Sequence, residues 1–400
     1  MRADASAEAR ARHAHRVARD AIAQFVEKYF EHNASARMVC EHVMRVSGEA
    51  VENVGDAAFG DAGLRGLAPG VAASRSLVRL DLDGKGVGAD GLGALAAAVA
   101  AAGGCALREL VVSRNRLSAA AVAALGPLLP RLSRLEASGC GIDAAGAAAL
   151  AGGLAAARAL RHVDLSGGNA VGDGAALGRA LAACPELRHL DVSGAPLAGA
   201  GALLGPLAAA GAALDALDLS GCGLGDAGAA EVAAALSGGL RARRLAVRGN
   251  RLGPAGARAL AGACGGAVSD LDLAGNPGVP GDATPVLAAV PGLQRLSLFG
   301  CGLGDAGVDA LCDALRGGGL AAARELDLGG NGAGRDALGR LLALLAEPGV
   351  APALRVVEVA ANPGTSEEAV EADVERFFAA RSGVDVVWRM AAGQGDSPPQ

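Results

Sequence analysis

The chain is 400 residues long, 52% hydrophobic but only 2% aromatic, with a formal net charge of −6. This length allows two or three ordinary domains or one extended array, and the acidic balance excludes a general nucleic-acid footprint. The uncharged stretch from Ala195 to Leu214 is long enough for a membrane span, but Pro196, Pro206, four glycines and few large apolar residues argue against one.

The first residues, "MRADASAEARARHAHRVARD", lack the apolar core of a secretory signal, and Asp4, Glu8 and Asp20 count against a mitochondrial transit peptide. An apolar stripe of Val17, Ile22, Phe25, Val26, Tyr29 and Phe30 predicts a helix over 5–32; Met38, Val39, Val43 and Met44 predict a second over 35–46. Residues 1–50 read as an N-terminal helical cap, and "FGDAGLRGLAPGVA" as the helical half of a degenerate first repeat over 51–76. Phe25, Tyr29 and Phe30 serve either this cap or a docking face, since exposed aromatics are interface residues.

From 77 to 363 the sequence repeats about eleven times. The anchors Leu77, Leu107, Leu132, Leu160, Leu187, Leu214, Ala242, Val268, Leu293, Ala323 and Leu354 recur 25 to 31 residues apart. Each unit reads as a short strand with two inward apolar residues (Leu217 and Leu219), a turn, then a helix with apolar residues three or four apart (Val232 and Leu236). One such unit cannot bury its own apolar face, so the units must stack. The LxxLxLxx(N/C)xL wording, with a helix in every unit, resembles the leucine-rich repeats of the ribonuclease-inhibitor-like class over roughly 50–390. The resemblance implies an α/β solenoid: a right-handed horseshoe with parallel strands on its concave face, helices on its convex face and a helical N-terminal cap.

Inside the array, "LDLSGCGLGDAGAAEVAAAL" imitates a dinucleotide site, with Gly223, Gly225 and Gly228 between a strand and a helix. The same spacing recurs at Gly302, Gly304 and Gly307 and at Gly86, Gly88 and Gly91. An enzyme needs one such loop, so these glycines read as turns and close helix packing, and no cofactor is expected.

The eight cysteines lack CxxC-like metal spacing. Cys140, Cys222 and Cys301 fall where other units carry Asn115, Asn250, Asn276, Asn331 and Asn362. In leucine-rich repeats this ladder residue points inward and bonds backbone at the turn, and the resemblance implies the same here. Buried, reduced thiols suit a reducing compartment, which places the chain in the cytoplasm.

Four residues after the anchors stand Asp81, Glu136, Asp164, Asp191, Asp218, Asp272, Asp327 and Glu358, alternating with the inward leucines and therefore facing one way. Arg79, Arg134, Arg244 and Arg295, two residues earlier, are expected to neutralise several of them. One reading is a wet, soluble face; the other is an acidic groove for a basic segment of a partner protein. His162 and His189 sit in equivalent positions two residues before Asp164 and Asp191, so a His₂Asp₂ metal site and surface pairs that soften the acidic column both fit.

At the C-terminus, residues 364–390 read as a cap: the helix "SEEAVEADVERFFAARS", then an edge strand "VDVVWRM" with Trp388. Residues 391–400 read as a disordered tail. Partner binding is therefore assigned to the acidic column and, together with capping, to Phe25, Tyr29, Phe30 and Trp388.

The pattern offers no catalytic pocket, so the chain reads as a non-enzymatic interaction scaffold for other proteins. Ribonuclease inhibitor resemblance implies aromatic-rich binding and many more cysteines, both missing. Resemblance to axonemal repeat proteins implies a subunit of a larger cytoskeletal assembly such as a ciliary radial spoke or dynein regulatory complex. Resemblance to Ran GTPase-activating proteins implies a catalytic Arg in an early loop, where Lys85, Arg114 and Arg116 stand, and a long acidic tail, which "GDSPPQ" does not supply. Resemblance to NLR sensor arrays implies a surveillance receptor fragment.

Overall fold

The computed structural model describes residues 44–388 apart from 48–49, 54–57, 173, 198, 280–283, 289, 291 and 366–367. Phe25, Tyr29 and Phe30, with the helix expected over 5–32, lie outside the described residues, as does the tail. The chain divides into two units, Met1–Ala198 and Gly199–Gln400, built on the same plan.

In the first unit, β1 (Met44–Ser47) and β2 (Ala50–Asn53) form an antiparallel pair in which Val46 lies opposite Val51. Of the helix predicted over 35–46, residues 44–46 are strand instead and the rest lies outside the described residues; Val46 and Val51, β-branched and paired, favour the strand. β2 supplies the degenerate first repeat with a strand and runs parallel to β3 (Arg79–Asp81), the strand of the first complete repeat. β4 (Glu109–Val111), β5 (Arg134–Glu136), β6 (His162–Asp164) and β7 (His189–Asp191) follow in parallel, each in register with its predecessor. The second unit continues the scheme with β8 (Ala213–Asp218), β9 (Arg241–Ala246), β10 (Asp270–Asp272), β11 (Arg295–Ser297), β12 (Glu325–Asp327), β13 (Val356–Glu358) and β14 (Asp385–Val387). These too are all parallel. Parallel pairing requires a crossover, and each repeat spends its remaining residues on a turn and a helix or a short helical turn.

The middle residue of each strand forms one row: Leu80, Leu110, Leu135, Val163 and Leu190 in the first unit, and Leu217, Leu245, Leu271, Leu296, Leu326 and Val357 in the second. All are fully buried, as are the eleven anchors. A buried leucine is worth roughly 1.5–3 kcal/mol, so these two rows supply much of the drive for stacking. Helices close the other side. In Gly225–Ser237 the buried face is Gly228, Ala229, Val232, Ala233 and Leu236, small side chains that let neighbouring helices approach closely.

Successive repeats are tied at two places. The acid of the GDAG turn caps the helix of the next repeat: Asp226 accepts the N–H groups of Gly253 at 2.7 Å and Gly256 at 2.9 Å. Asp61 does the same for Gly88 and Asp305 for Gly334, placing a carboxylate where helix N-termini favour anions. The second tie is the inward ladder. Asn115, Asn250, Asn276, Asn331 and Asn362 are buried and donate to backbone carbonyls of the preceding repeat. The thiols of Cys140 and Cys301 reach the carbonyls of Val112 at 3.1 Å and Leu273 at 3.3 Å. Cys222 is equally buried, its sulfur 3.6 Å from the Ser220 carbonyl.

Two ladder members escape the sequence pattern. Asn169 is 1% exposed, donates to the carbonyls of Ala137, Leu165 and Ser166, and accepts from Ile142 N–H. It stands one place late because Gly167 and Gly168, with φ of 75° and 82°, absorb an extra residue in the turn. The visible signal was "SGGN". Lys85 fills the ladder position of the first complete repeat and is fully buried.

Candidate functional site

The strand residues that alternate with the leucines lie on the face of each sheet opposite the helices. In the first unit Asp81, Val111, Glu136, Asp164 and Asp191 stand in register, and in the second Asp218, Ala246, Asp272, Ser297, Asp327 and Glu358. Most of these acids also hold their own turn. Asp81, Asp164, Asp191, Asp218, Asp272 and Asp327 each accept the backbone N–H two residues on, at 2.8–3.0 Å. That bond explains why Asp recurs here: a short acceptor reaches its own chain two positions later.

The first unit compensates part of its charge. Arg79 lies 3.8 Å from Asp81, 3.4 Å from Glu109 and 3.5 Å from Glu136, and Arg134 pairs with Glu136. His162 and His189 are register partners with ring centroids 5.5 Å apart. Burial and the Arg134 charge hold His162 below its ordinary value. The four-ligand arrangement considered for His162, Asp164, His189 and Asp191 does not form. Among the described residues no group of three or more His, Cys, Asp or Glu is disposed to hold a metal ion. Asp164 and Asp191 are bound instead to the amides of Ser166 and Ser193.

The second unit is less compensated. Asp218, Asp272, Ser297, Asp327 and Glu358 line a hollow of about 390 Å³ together with Asp270, Glu325 and the arginines Arg244, Arg248 and Arg295, six carboxylates to three guanidinium groups. Arg295 turns to Glu325 at 3.0 Å rather than to the column, and Arg248 approaches Asp272 at 3.7 Å. Ser297 Oγ donates to Asp327 Oδ2 at 2.8 Å. Asp327 and Glu358 are adjacent in register without a cation within 4 Å among the described residues. Burial pushes Asp272 above its ordinary value, with the charges of Asp218 and Asp327 adding to the rise. Burial raises Glu358 too, followed by the charges of Asp327 and Glu325. A bound cation would relieve both.

Apolar contacts beside this face are few. Phe299 is 41% exposed and leans over Gly329, where a Cβ would come within 2.7 Å of its ring. At the C-terminal end Phe377 is buried and Phe378 exposed, with rings 6.1 Å apart. Trp388 follows β14 and is half-buried.

The glycine loops are occupied by the next repeat. Gly225 N–H donates to the Asn250 carbonyl at 2.9 Å and Leu224 N–H to Asn250 Oδ1 at 3.2 Å. Gly304 N–H donates likewise to the Asn331 carbonyl. Amides that would have to cradle a phosphate are therefore already satisfied. Of the three early-loop cations, Lys85 is buried and Arg114 holds Asp83 through both ends of its guanidinium, leaving Arg116 exposed. No helix among the described residues is long and apolar enough to cross a membrane.

Parallel strands in register, a helix or turn behind each, and an asparagine–cysteine ladder between them define a repeat class. Segments 214–233, 243–261 and 293–312 match the family model described as Leucine Rich repeat. These three segments carry leucine-rich repeats. The whole chain is similar to a chain in the crystal structure of the Rad7 and Elc1 complex in yeast (16% identity, covering 82% of this chain and 78% of that one, TM-score 0.47). It is also similar to an internalin from Listeria monocytogenes (14%, 94% and 95%, 0.43) and to the leucine-rich repeat-containing protein LegL7 from Legionella pneumophila (17%, 69% and 91%, 0.43). No curated protein matches the sequence.

Proposed function

We propose that this chain is a non-catalytic protein-interaction scaffold whose second unit holds a basic segment of a partner on the acidic sheet face. The observation that carries the reading is the neighbouring pair Asp327 and Glu358, lining the hollow with Asp218 and Asp272 and lacking a cation within 4 Å among the described residues. Such a face steers a cationic partner over about one Debye length, near 8 Å at physiological salt. With Phe299 as the aromatic beside it, binding depends on charge more than on a buried anchor. A place in a larger assembly, the ciliary axoneme included, rests on analogy between repeat arrays rather than on a residue of this chain. Anisotropy of a fluorescein-labelled Lys₆ peptide on the full chain tests the reading. Asp272→Asn/Asp327→Asn/Glu358→Gln should weaken capture about tenfold, with circular dichroism unchanged. Capture that survives both this change and half-molar salt would rule the acidic face out.

A further inference from the structure

The residue immediately after each anchor forms a second row along the leading edge of the sheet. In the second unit the row is Asp215, Arg243, Ser269, Gln294, Arg324, Arg355, acidic at its first position and cationic or neutral from there on. Its continuity is set by backbone bonds: Ser269 N–H to the Arg243 carbonyl, Gln294 to Ser269, Arg324 to Gln294 and Arg355 to Arg324, at 2.7–2.9 Å. Arg243, Arg324 and Arg355 are exposed, and Arg241 adds a fourth exposed guanidinium two residues before Arg243.

The equivalent row of the first unit shows what a structural arginine does here. Arg108 donates to the Leu107 carbonyl at 2.7 Å and Arg188 to the Leu187 carbonyl at 2.8 Å, while Arg161 lies 3.4 Å from Glu186. Among the described residues, the guanidinium groups of Arg243, Arg324 and Arg355 have neither a hydrogen bond nor an ion pair. Asp215, Asp270 and Asp385 are close in sequence or register but none lies within 4 Å of them. Three aligned cations are left with donors that nothing in this unit uses.

We infer that this edge binds an acidic, extended segment of a partner protein. Strands lie about 4.8 Å apart, so the row from Arg243 to Arg355 spans roughly 19 Å, the length of about six extended residues. Arg324 and Arg355 on adjacent strands can converge on one carboxylate, the arrangement in which guanidinium recognition is strongest. Guanidinium charge complements carboxylates and phosphates alike, and it is the surroundings of the row that favour a protein segment over a nucleic-acid strand. The row is single, begins at Asp215, is flanked by Asp270 and Asp385, and among the described residues has no aromatic platform for bases. This inference is independent of the acidic face: the two surfaces have opposite signs and fail separately.

The test uses the full chain and a fluorescein-labelled Glu₆ peptide, read by anisotropy at low salt and at half-molar salt. Wild type should bind at low salt and release at high salt. Arg243→Gln/Arg324→Gln/Arg355→Gln should weaken binding about tenfold or more, with the melting curve unchanged. Should the triple variant not fold, Arg324→Gln and Arg355→Gln singly are each expected to weaken binding by a factor of two or more. Asp272→Asn/Asp327→Asn should lower Lys₆ capture and leave Glu₆ binding in place. Absence of Glu₆ binding, binding indifferent to the arginine changes, or tighter arginine-dependent binding of a labelled U₁₂ RNA would each overturn the assignment.

Discussion

Asn276 Oδ1 accepts the backbone N–H of Asn250 at 2.8 Å, so the ladder asparagine of one repeat completes the turn of the repeat before it. The same oxygen accepts Leu252 N–H, and the amide nitrogen donates to the carbonyls of Val247 and Leu273. A thiol in this position has one proton to give and little to accept with. Cys301 accordingly reaches the Leu273 carbonyl, with a longer contact to Phe299. Asn276→Ala should cost about 3 kcal/mol, because it leaves several buried backbone groups unpaired. Cys301→Ala should cost about 1 kcal/mol. Denaturant unfolding of the two variants decides the order, and equal losses would mean that the ladder bonds contribute little.

Thiol chemistry offers a second check. Burial pushes Cys264 up to about 12 and Cys140, Cys184, Cys301 and Cys312 up to about 11. At pH 8 these groups stay protonated, and the thiolate is the nucleophile. Native protein treated with iodoacetamide should leave all seven described cysteines unmodified, and unfolded protein should alkylate them. Intact-mass spectrometry counts the adducts.

The acidic face makes stability depend on pH with a definite sign. A carboxyl raised by the fold holds its proton more tightly folded than unfolded. Its contribution is therefore present below the unfolded value and lost as pH rises through the folded one. Asp81, Asp272 and Glu358 are all of this kind. Asp272→Asn keeps an acceptor for Ala274 N–H and removes the charge. It should raise the melting temperature at pH 7, with the gain shrinking toward about pH 4, the ordinary carboxylate range. His162 carries the opposite sign: lowered in the fold, it withdraws stability as pH falls through its unfolded value of about 6.5.

Gly228 separates the turn from a nucleotide site. A Cβ there would lie 2.8 Å from Leu224 Cβ, so Gly228→Ala should destabilise by roughly 1–3 kcal/mol through overpacking. Millimolar ATP or NAD should leave the melting temperature of the wild-type protein where it was. A ligand-dependent rise of several degrees would restore the nucleotide reading.

Much of the fold is legible along the chain, because a strand and its alternation are local. The anchors, the inward leucines and the acids between them follow from a period near 28 and a side-chain period of two. Parallel pairing follows too, since each repeat is long enough for a crossover. The tertiary structure decided the relations that join residues about one repeat apart. Asp226 caps the next helix at Gly253, Asn276 closes the turn at Asn250, and among the described residues the leading-edge arginines are tied in one unit and Arg243, Arg324 and Arg355 are not in the other. It also decided where the period slips: Asn169 is displaced by one glycine, Lys85 is buried on the ladder, and Met44 lies in a hairpin. A repeat pattern specifies what each position contributes to its own strand or helix. Which polar group finds a partner depends on turn lengths and on the side chain offered by the neighbouring repeat, and those distances exist only once the repeats are stacked.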